Sequence, residues 1–171
     1  PRVADRLLER CRATGSVACV GLDPRPELVP PAIAEAAKAV HHDTRQAVAA
    51  AFLDCNRRII DAIAPHCAAV KPQVACYEAY GWSGMQALEA TIAYAREREL
   101  PVIVDGKRND IGSTAAHYQQ AWLGQAPDLD GGPVPAVAAD WLTVNAYLGG
   151  DGVRPFLDEH GQRGVFILVK T

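Results

Sequence analysis

The run Leu100-Pro101-Val102-Ile103-Val104 passes directly into Asp105-Gly106-Lys107-Arg108-Asn109-Asp110. A short apolar, β-branched run of this kind is strand material. Its closing Asp-x-Lys-x-x-Asp pattern sets two carboxylates and an ammonium at one strand tip. Two unit charges about 4 Å apart interact by roughly 4 kcal/mol at an effective dielectric near 20. Such a cluster is either a solvated surface ion pair or a site where charge does chemistry. The remainder of the chain selects the second reading.

Working outward, the same pattern recurs. Val17 to Val20 is a short apolar strand running into Gly21-Leu22-Asp23, Ala68-Ala69-Val70 ends at Lys71, and Val102 leads to Asp105. Trp141 to Val144 ends at Asn145, and Val165 to Val169 ends at Lys170-Thr171. Helical segments lie between them. Arg2 to Thr14 has Val3, Leu7, Leu8 and Cys11 on one face, with Gly15 past its end. Thr44 to Ala64 carries Val48, Phe52, Cys55, Ile59 and Ile63 at helical spacing. Ser83 and Gln86 form a candidate capping box for a helix reaching about Arg98. Another helix starts near Ser113-Thr114 and carries Tyr118, Trp122 and Leu123, and Asp151 can cap a short one to about His160. Pro24, Pro26, Pro30 and Pro31 predict an irregular connection, and Ala126 to Pro135 reads as a surface loop.

Alternating strands and helices imply parallel strands with right-handed crossovers. Two architectures compete, a doubly wound sheet and a (β/α) barrel. No G-x-G-x-x-G follows the first strand and no Walker A sequence occurs, so the nucleotide fingerprints of open sheets are missing. Instead, every strand ends on a polar or charged residue: Asp23, Lys71, Asp105 with Lys107, Asn145 and Lys170. Active sites of (β/α)₈ TIM barrels are assembled from those positions. A full barrel needs eight strands and typically about 250 residues. This chain of 171 residues supplies about five units, so it is expected to be the N-terminal portion of a single barrel domain spanning residues 1–171 and continuing beyond it.

Composition narrows the function classes. Hydrophobic content is 49% and charged content 22%, which fits a soluble globular protein. A net charge of −3 gives no electrostatic case for nucleic acid or for an anionic membrane. No apolar run approaches the roughly 18 residues that span a bilayer. The five cysteines, Cys11, Cys19, Cys55, Cys67 and Cys76, form no C-x-x-C pair. They are read as free, mostly buried thiols in a reducing, cytoplasmic setting, without structural zinc. His41-His42, His66, His117 and His160 are read as surface residues, and Trp82, Trp122 and Trp141 as packing residues.

Five segments, in order, carry a resemblance. They are Gly21-Leu22-Asp23-Pro24-Arg25-Pro26-Glu27-Leu28, then Val70-Lys71-Pro72-Gln73 with Tyr77-Glu78 and Gly81, then Asp105 to Thr114, then Thr143-Val144-Asn145-Ala146-Tyr147-Leu148-Gly149, and finally Gly164 to Thr171. Together they resemble the orotidine 5′-phosphate decarboxylases, in particular the longer bacterial subgroup. The resemblance implies a (β/α)₈ barrel that works as a homodimer on a nucleotide substrate, with no metal and no organic cofactor. It implies that Lys107 protonates C6 of the pyrimidine as carbon dioxide leaves, and that Asp105 lies beside the substrate carboxylate. Lys71 and Asp23 match residues that bind the ribose hydroxyls. Asp110, Ile111 and Thr114 match residues lent by the second subunit, and Asn145 falls in a matching substrate-binding segment.

Two alternatives compete with this expectation. A sugar-phosphate decarboxylase or aldolase of the same suprafamily shares D-x-K-x-x-D but uses Mg²⁺. A non-catalytic half-barrel that only binds or pairs is the other. In the family, loops after later strands grip the pyrimidine and the phosphate, so residues 1–171 by themselves are not expected to be a competent enzyme. Remote binding energy of that kind contributes to transition-state stabilisation.

Overall fold

Strand-forming and helix-forming stretches alternate along the chain because apolar residues switch between periods of two and of 3.6. The computed structural model describes residues 1–135 and 137–170. Helix α1 (Val3–Thr14) ends at Gly15, whose left-handed φ of 62° lets the chain turn and return its N–H to the helix. Strand β1 (Cys19–Leu22) follows. After a 3₁₀ turn at Pro26–Leu28 come α2 (Pro31–Val40) and α3 (Thr44–Ile63). Next are β2 (Ala69–Pro72), α4 (Val74–Glu78) and α5 (Gly81–Glu97). Then follow β3 (Ile103–Arg108) and α6 (Gly112–Trp122). A small pair, β4 (Gln125–Pro127) and β5 (Pro133–Pro135), precedes β6 (Trp141–Asn145), α7 (Gly150–Val153) and β7 (Gly164–Leu168).

Five strands run parallel in chain order. β1 pairs with β2, and β3 pairs with β6, which pairs with β7. Bridges Val70–Val102 and Gln73–Asp105 join β2 to β3. This order, with no reversal, is that of successive barrel units and not of a doubly wound sheet. Residues of one face, including Val70, Val102, Val104, Leu142 and Val144, are buried in one cluster with Val74, Leu88, Ile92, Trp122 and Phe156 of the surrounding helical segments. The alternate residues of the strands, among them Lys71, Asp105 and Thr143, occupy the other face.

Two features hold the β1 and β2 ends in place. The buried Asn56 amide donates to Tyr77 Oη at 2.8 Å and to Thr91 Oγ1 at 3.1 Å, and Tyr77 Oη donates to the Leu22 carbonyl at 3.3 Å. Burial raises the Tyr77 phenol above its ordinary range, so it stays a donor. Gly84 lets α5 press on α4, because an added Cβ would lie 2.0 Å from the Tyr77 carbonyl oxygen. At the opposite end, buried Asp140 accepts from Val102 N–H at 2.9 Å and from Arg6 Nη2 at 2.9 Å, tying α1 beneath the sheet.

Several local expectations are corrected. The connection after β1 contains helix α2, which Pro31 can open because the first helical turn needs no proline N–H. On α3 the buried stripe is Ala49, Phe52, Asn56 and Ile60, whereas Ile59 is exposed, so the inward face is rotated from the apolar spacing. That rotation follows from burying the Asn56 amide in its hydrogen-bond network. Helix α5 begins at Gly81 with Tyr80 as its N-cap, so Ser83 lies inside the helix and the Ser83–Gln86 capping box does not form. The expected loop at Ala126 to Pro135 instead contains the β4–β5 antiparallel pair. Asp151 lies in the first turn of α7, after the cap Gly149, and the expected helix to His160 stops at Val153 before a 3₁₀ turn. Only Cys67 among the cysteines is buried, and Cys19 is exposed. Trp82 is exposed and does not pack, while Trp122 is buried and Trp141 stacks on Phe166 at 5.0 Å between ring centres. Thr171 lies outside the described residues.

Candidate active site

The charged centre is built on the C-terminal halves of β2, β3 and β6. Strand β3 continues past the expected end at Asp105 to Arg108, so Asp105 sits within the strand and Lys107 near its tip. Their charged groups meet, the Lys107 ammonium reaching Asp105 Oδ1. The buried Asp105 carboxylate accepts four hydrogen bonds. Its Oδ2 receives Lys71 Nζ at 2.8 Å and Gln73 Nε2 at 3.0 Å. Its Oδ1 receives Lys107 Nζ at 2.5 Å and Thr143 Oγ1 at 2.9 Å. Each oxygen therefore has one ammonium and one neutral donor. The expected convergence of Lys71, Asp105 and Lys107 is observed.

This arrangement fixes the charge states. Burial by itself would raise the Asp105 carboxyl, but the hydrogen bonds from Lys107, Lys71 and Thr143 outweigh it and hold it at about 2. Burial works to lower Lys71, yet the Asp105 hydrogen bond and charge, with Asp23 adding to them, raise it above the ordinary ammonium range. Asp23 is thus near enough to influence Lys71, although it is exposed and makes no direct ion pair with it.

A depressed carboxyl stabilises the fold above its unfolded value and loses that contribution as pH falls through its folded value. For Asp105 the window runs from the ordinary carboxylate value near 3.8 down to about 2. The linked contribution is on the order of 2 kcal/mol. In the full-length protein, urea denaturation between pH 5 and pH 2.5 is expected to show a loss in wild type that Asp105→Asn lacks. Equal slopes in the two proteins would remove Asp105 as the cause. Lys71, being raised, works oppositely: its contribution is lost as pH climbs above the ordinary lysine range.

Among the described residues, the other expected site residues make no hydrogen bond or ion pair with this centre. Asp110 Oδ1 accepts from the Ile111 N–H at 2.7 Å, and among the described residues it makes no ion pair with Lys71 or Lys107. Ile111 and Thr114 are exposed around the start of α6. Asn145 Oδ1 accepts from the Tyr147 N–H at 2.8 Å, which shapes its own loop. Among the described residues no group of three or more His, Cys, Asp or Glu side chains lies together as a metal site requires.

Gln73 and Thr143 are the residues that sequence reasoning did not single out. They lie two residues from Lys71 and Asn145 respectively, and the period of two is the available signal. Arg108 was also passed over. It turns the other way from Lys107, pairs with Glu78 Oε1 at 2.5 Å, and lies over the Tyr118 and Trp122 rings at 5.5 and 5.3 Å. It ties the end of β3 to α4 and α6.

Chemically, the centre presents one fixed anion flanked by two ammoniums. Lys107 is the more exposed of the two, with 48% of its side chain accessible against 33% for Lys71. It can meet a bound molecule from the open side, and an ammonium so held can stabilise developing negative charge and supply a proton.

The chain is similar to known proteins in sequence and in fold. The family model described as "Orotidine 5'-phosphate decarboxylase / HUMPS family" matches residues 16–171. The chain is 46% identical over 160 residues to the orotidine 5′-phosphate decarboxylase of Rhodopirellula baltica, covering 92% of this chain and 51% of that protein. It is 44% identical over 167 residues to that of Haloarcula marismortui, covering 98% and 52% respectively. The solved structure of Leishmania donovani OMP decarboxylase is similar with a TM-score of 0.72 at 29% identity, covering 100% of this chain and 54% of that one. The chain thus spans about half the length of the curated relatives it matches.

Proposed function

The chain belongs to the orotidine 5′-phosphate decarboxylase / HUMPS family, and from that premise we propose that the protein carrying it converts orotidine 5′-monophosphate to uridine 5′-monophosphate. The observation that carries this reading is the Lys71–Asp105–Lys107 array, held through a single carboxylate at the C-terminal ends of the strands. Loss of carbon dioxide breaks the C6–carboxylate bond and leaves its electron pair in the ring plane, outside the π system. A fixed ammonium stabilises that pair and then protonates C6, so Lys107 combines electrostatic and general-acid roles. Asp105, locked in its ionised form, faces the departing carboxylate. Asp23 and Lys71 hold the ribose.

The finer points of the reading are these. Residues 1–171 form the N-terminal portion of one barrel domain. The working enzyme is a cytoplasmic homodimer without cofactor, and Asp110, Ile111 and Thr114 serve the neighbouring subunit's site. Asn145 lies at the substrate mouth. The exposure of Ile111 and Thr114, and the lack among the described residues of an ion pair between Asp110 and Lys71 or Lys107, support the shared site. An odd number of cysteines without a C-x-x-C pair supports a reducing compartment.

The test is direct. Full-length protein is incubated with orotidine 5′-monophosphate, and uridine 5′-monophosphate and carbon dioxide are measured with and without EDTA. Turnover unaffected by EDTA is expected. Activity restricted to a sugar phosphate and dependent on Mg²⁺ would replace this reading with that of the metal-dependent relatives. Absence of any turnover would favour a non-catalytic protein.

A further inference from the structure

Strand β3 bulges at the charged centre. Val104 pairs with Leu142 and Arg108 with Val144, so three residues of β3, Asp105, Gly106 and Lys107, stand opposite the single residue Thr143 of β6. The extra residues cannot all join a regular ladder. Lys107 takes up the distortion with a left-handed φ of 47°, a region that a non-glycine residue occupies only when its surroundings enforce it. The enforcing contact is a side chain. The Lys107 backbone N–H donates to Thr143 Oγ1 at 2.9 Å, in place of a ladder carbonyl.

The Thr143 hydroxyl has one proton, and it is directed to Asp105 Oδ1 at 2.9 Å. That same oxygen receives the Lys107 ammonium at 2.5 Å. A single hydroxyl therefore holds Lys107 at both ends, at the backbone directly and at the Nζ through the shared carboxylate oxygen. Gln73 makes the corresponding contact on Oδ2, but it serves the Lys71 side and has no bond to the Lys107 backbone.

We propose that Thr143 is a positioning residue for the proton-donating lysine, acting through the Lys107 backbone and the Asp105 carboxylate and not by touching substrate. The proposal rests on the decarboxylase reading and deepens it. Ribose binding is left to Asp23 and Lys71, to which Thr143 makes no hydrogen bond among the described residues. Loss of the hydroxyl should therefore appear in kcat and leave KM nearly unchanged. A misplacement on the order of 1 Å at a reacting group costs up to about 10²-fold in rate.

The test compares Thr143→Val, Thr143→Ala and Thr143→Ser with wild type in the full-length protein, with thermal unfolding measured on each. Wild-type turnover of orotidine 5′-monophosphate is established first, and its absence would overturn the decarboxylase reading on which the proposal rests. Given that turnover, Thr143→Val is expected to lose kcat roughly 10- to 100-fold with KM held, and Thr143→Ser to restore most of it. Thr143→Ala, which has no bulky methyl pair to misplace, is expected to lose kcat as the valine variant does and carries the test if the valine variant does not fold. A folded valine or alanine variant with wild-type kcat overturns the proposal. So does a serine variant as impaired as the hydroxyl-free ones, because the hydroxyl would then not be the group that matters.

Discussion

Replacing Lys107 with alanine in the full-length protein is expected to cut decarboxylation by roughly 10⁴- to 10⁷-fold while leaving the fold intact. The two halves of this expectation have separate grounds. A positioned general acid contributes typically about 10² to 10⁴ in rate, and one preorganised donor to a developing anion about 10² to 10³. In the proposed mechanism Lys107 supplies both, and water cannot replace that ammonium for either. Folding should be nearly unaffected, because the alanine variant leaves the Asp105 carboxylate with Lys71, Gln73 and Thr143 as donors. The Lys107 side chain is itself about half exposed, at 48%, so its removal opens no cavity. The measurement is single-turnover formation of uridine 5′-monophosphate alongside thermal unfolding. An alanine variant that folds and turns over near the wild-type rate removes Lys107 as proton donor. One that fails to fold would show that the array is needed for structure, contrary to the exposure and residual pairing of Asp105.

The second large effect concerns Asp110. Alone, Lys107→Ala and Asp110→Ala are each expected to be nearly inactive. Mixed under conditions that permit subunit exchange, they are expected to regain activity toward roughly a quarter of the wild-type level. If the protein is the proposed homodimer with shared sites, random pairing puts about half of the dimers in the mixed form, and isologous symmetry gives each mixed dimer one site with both defects and one with neither. The motivation in this chain is positional. Asp110 caps the Ile111 N–H beside α6 and makes no ion pair with its own Lys107. Ile111 and Thr114 are exposed beyond it, at the start of α6. If mixing restores nothing while exchange is shown independently, for example by mass-labelled subunits, Asp110 acts within its own chain.

These residues and Thr143 differ in how much the sequence reveals of them. Lys71, Asp105 and Lys107 were legible because charge at the end of an apolar run is costly unless it is used. Gln73 and Thr143 were not, because a neutral polar residue in a strand carries no such signal. Thr143 gained its place from register: it stands opposite a three-residue bulge, and bulges are properties of a strand pair. The inward face of α3 departs from its apolar spacing for a related reason. Cys55 and Ile59 fit the apolar spacing, but burial of Asn56 against Tyr77 and Thr91 turned the helix. The β4–β5 pair was missed because three-residue strands bounded by prolines have too little pattern to separate from a loop.

By itself, the sequence determined the alternation of elements, the parallel order of β1, β2, β3, β6 and β7, and the placing of charge at the strand ends. Those follow from local periodicity and from the cost of unpaired charge, both of which are written residue by residue. Tertiary structure alone decided which neutral donors complete the Asp105 shell, how far β3 extends, and which face α3 buries. Those depend on the registers of strands and the rotations of helices packed against one another. Such quantities are set jointly by segments distant in the chain, so no single stretch of sequence contains them.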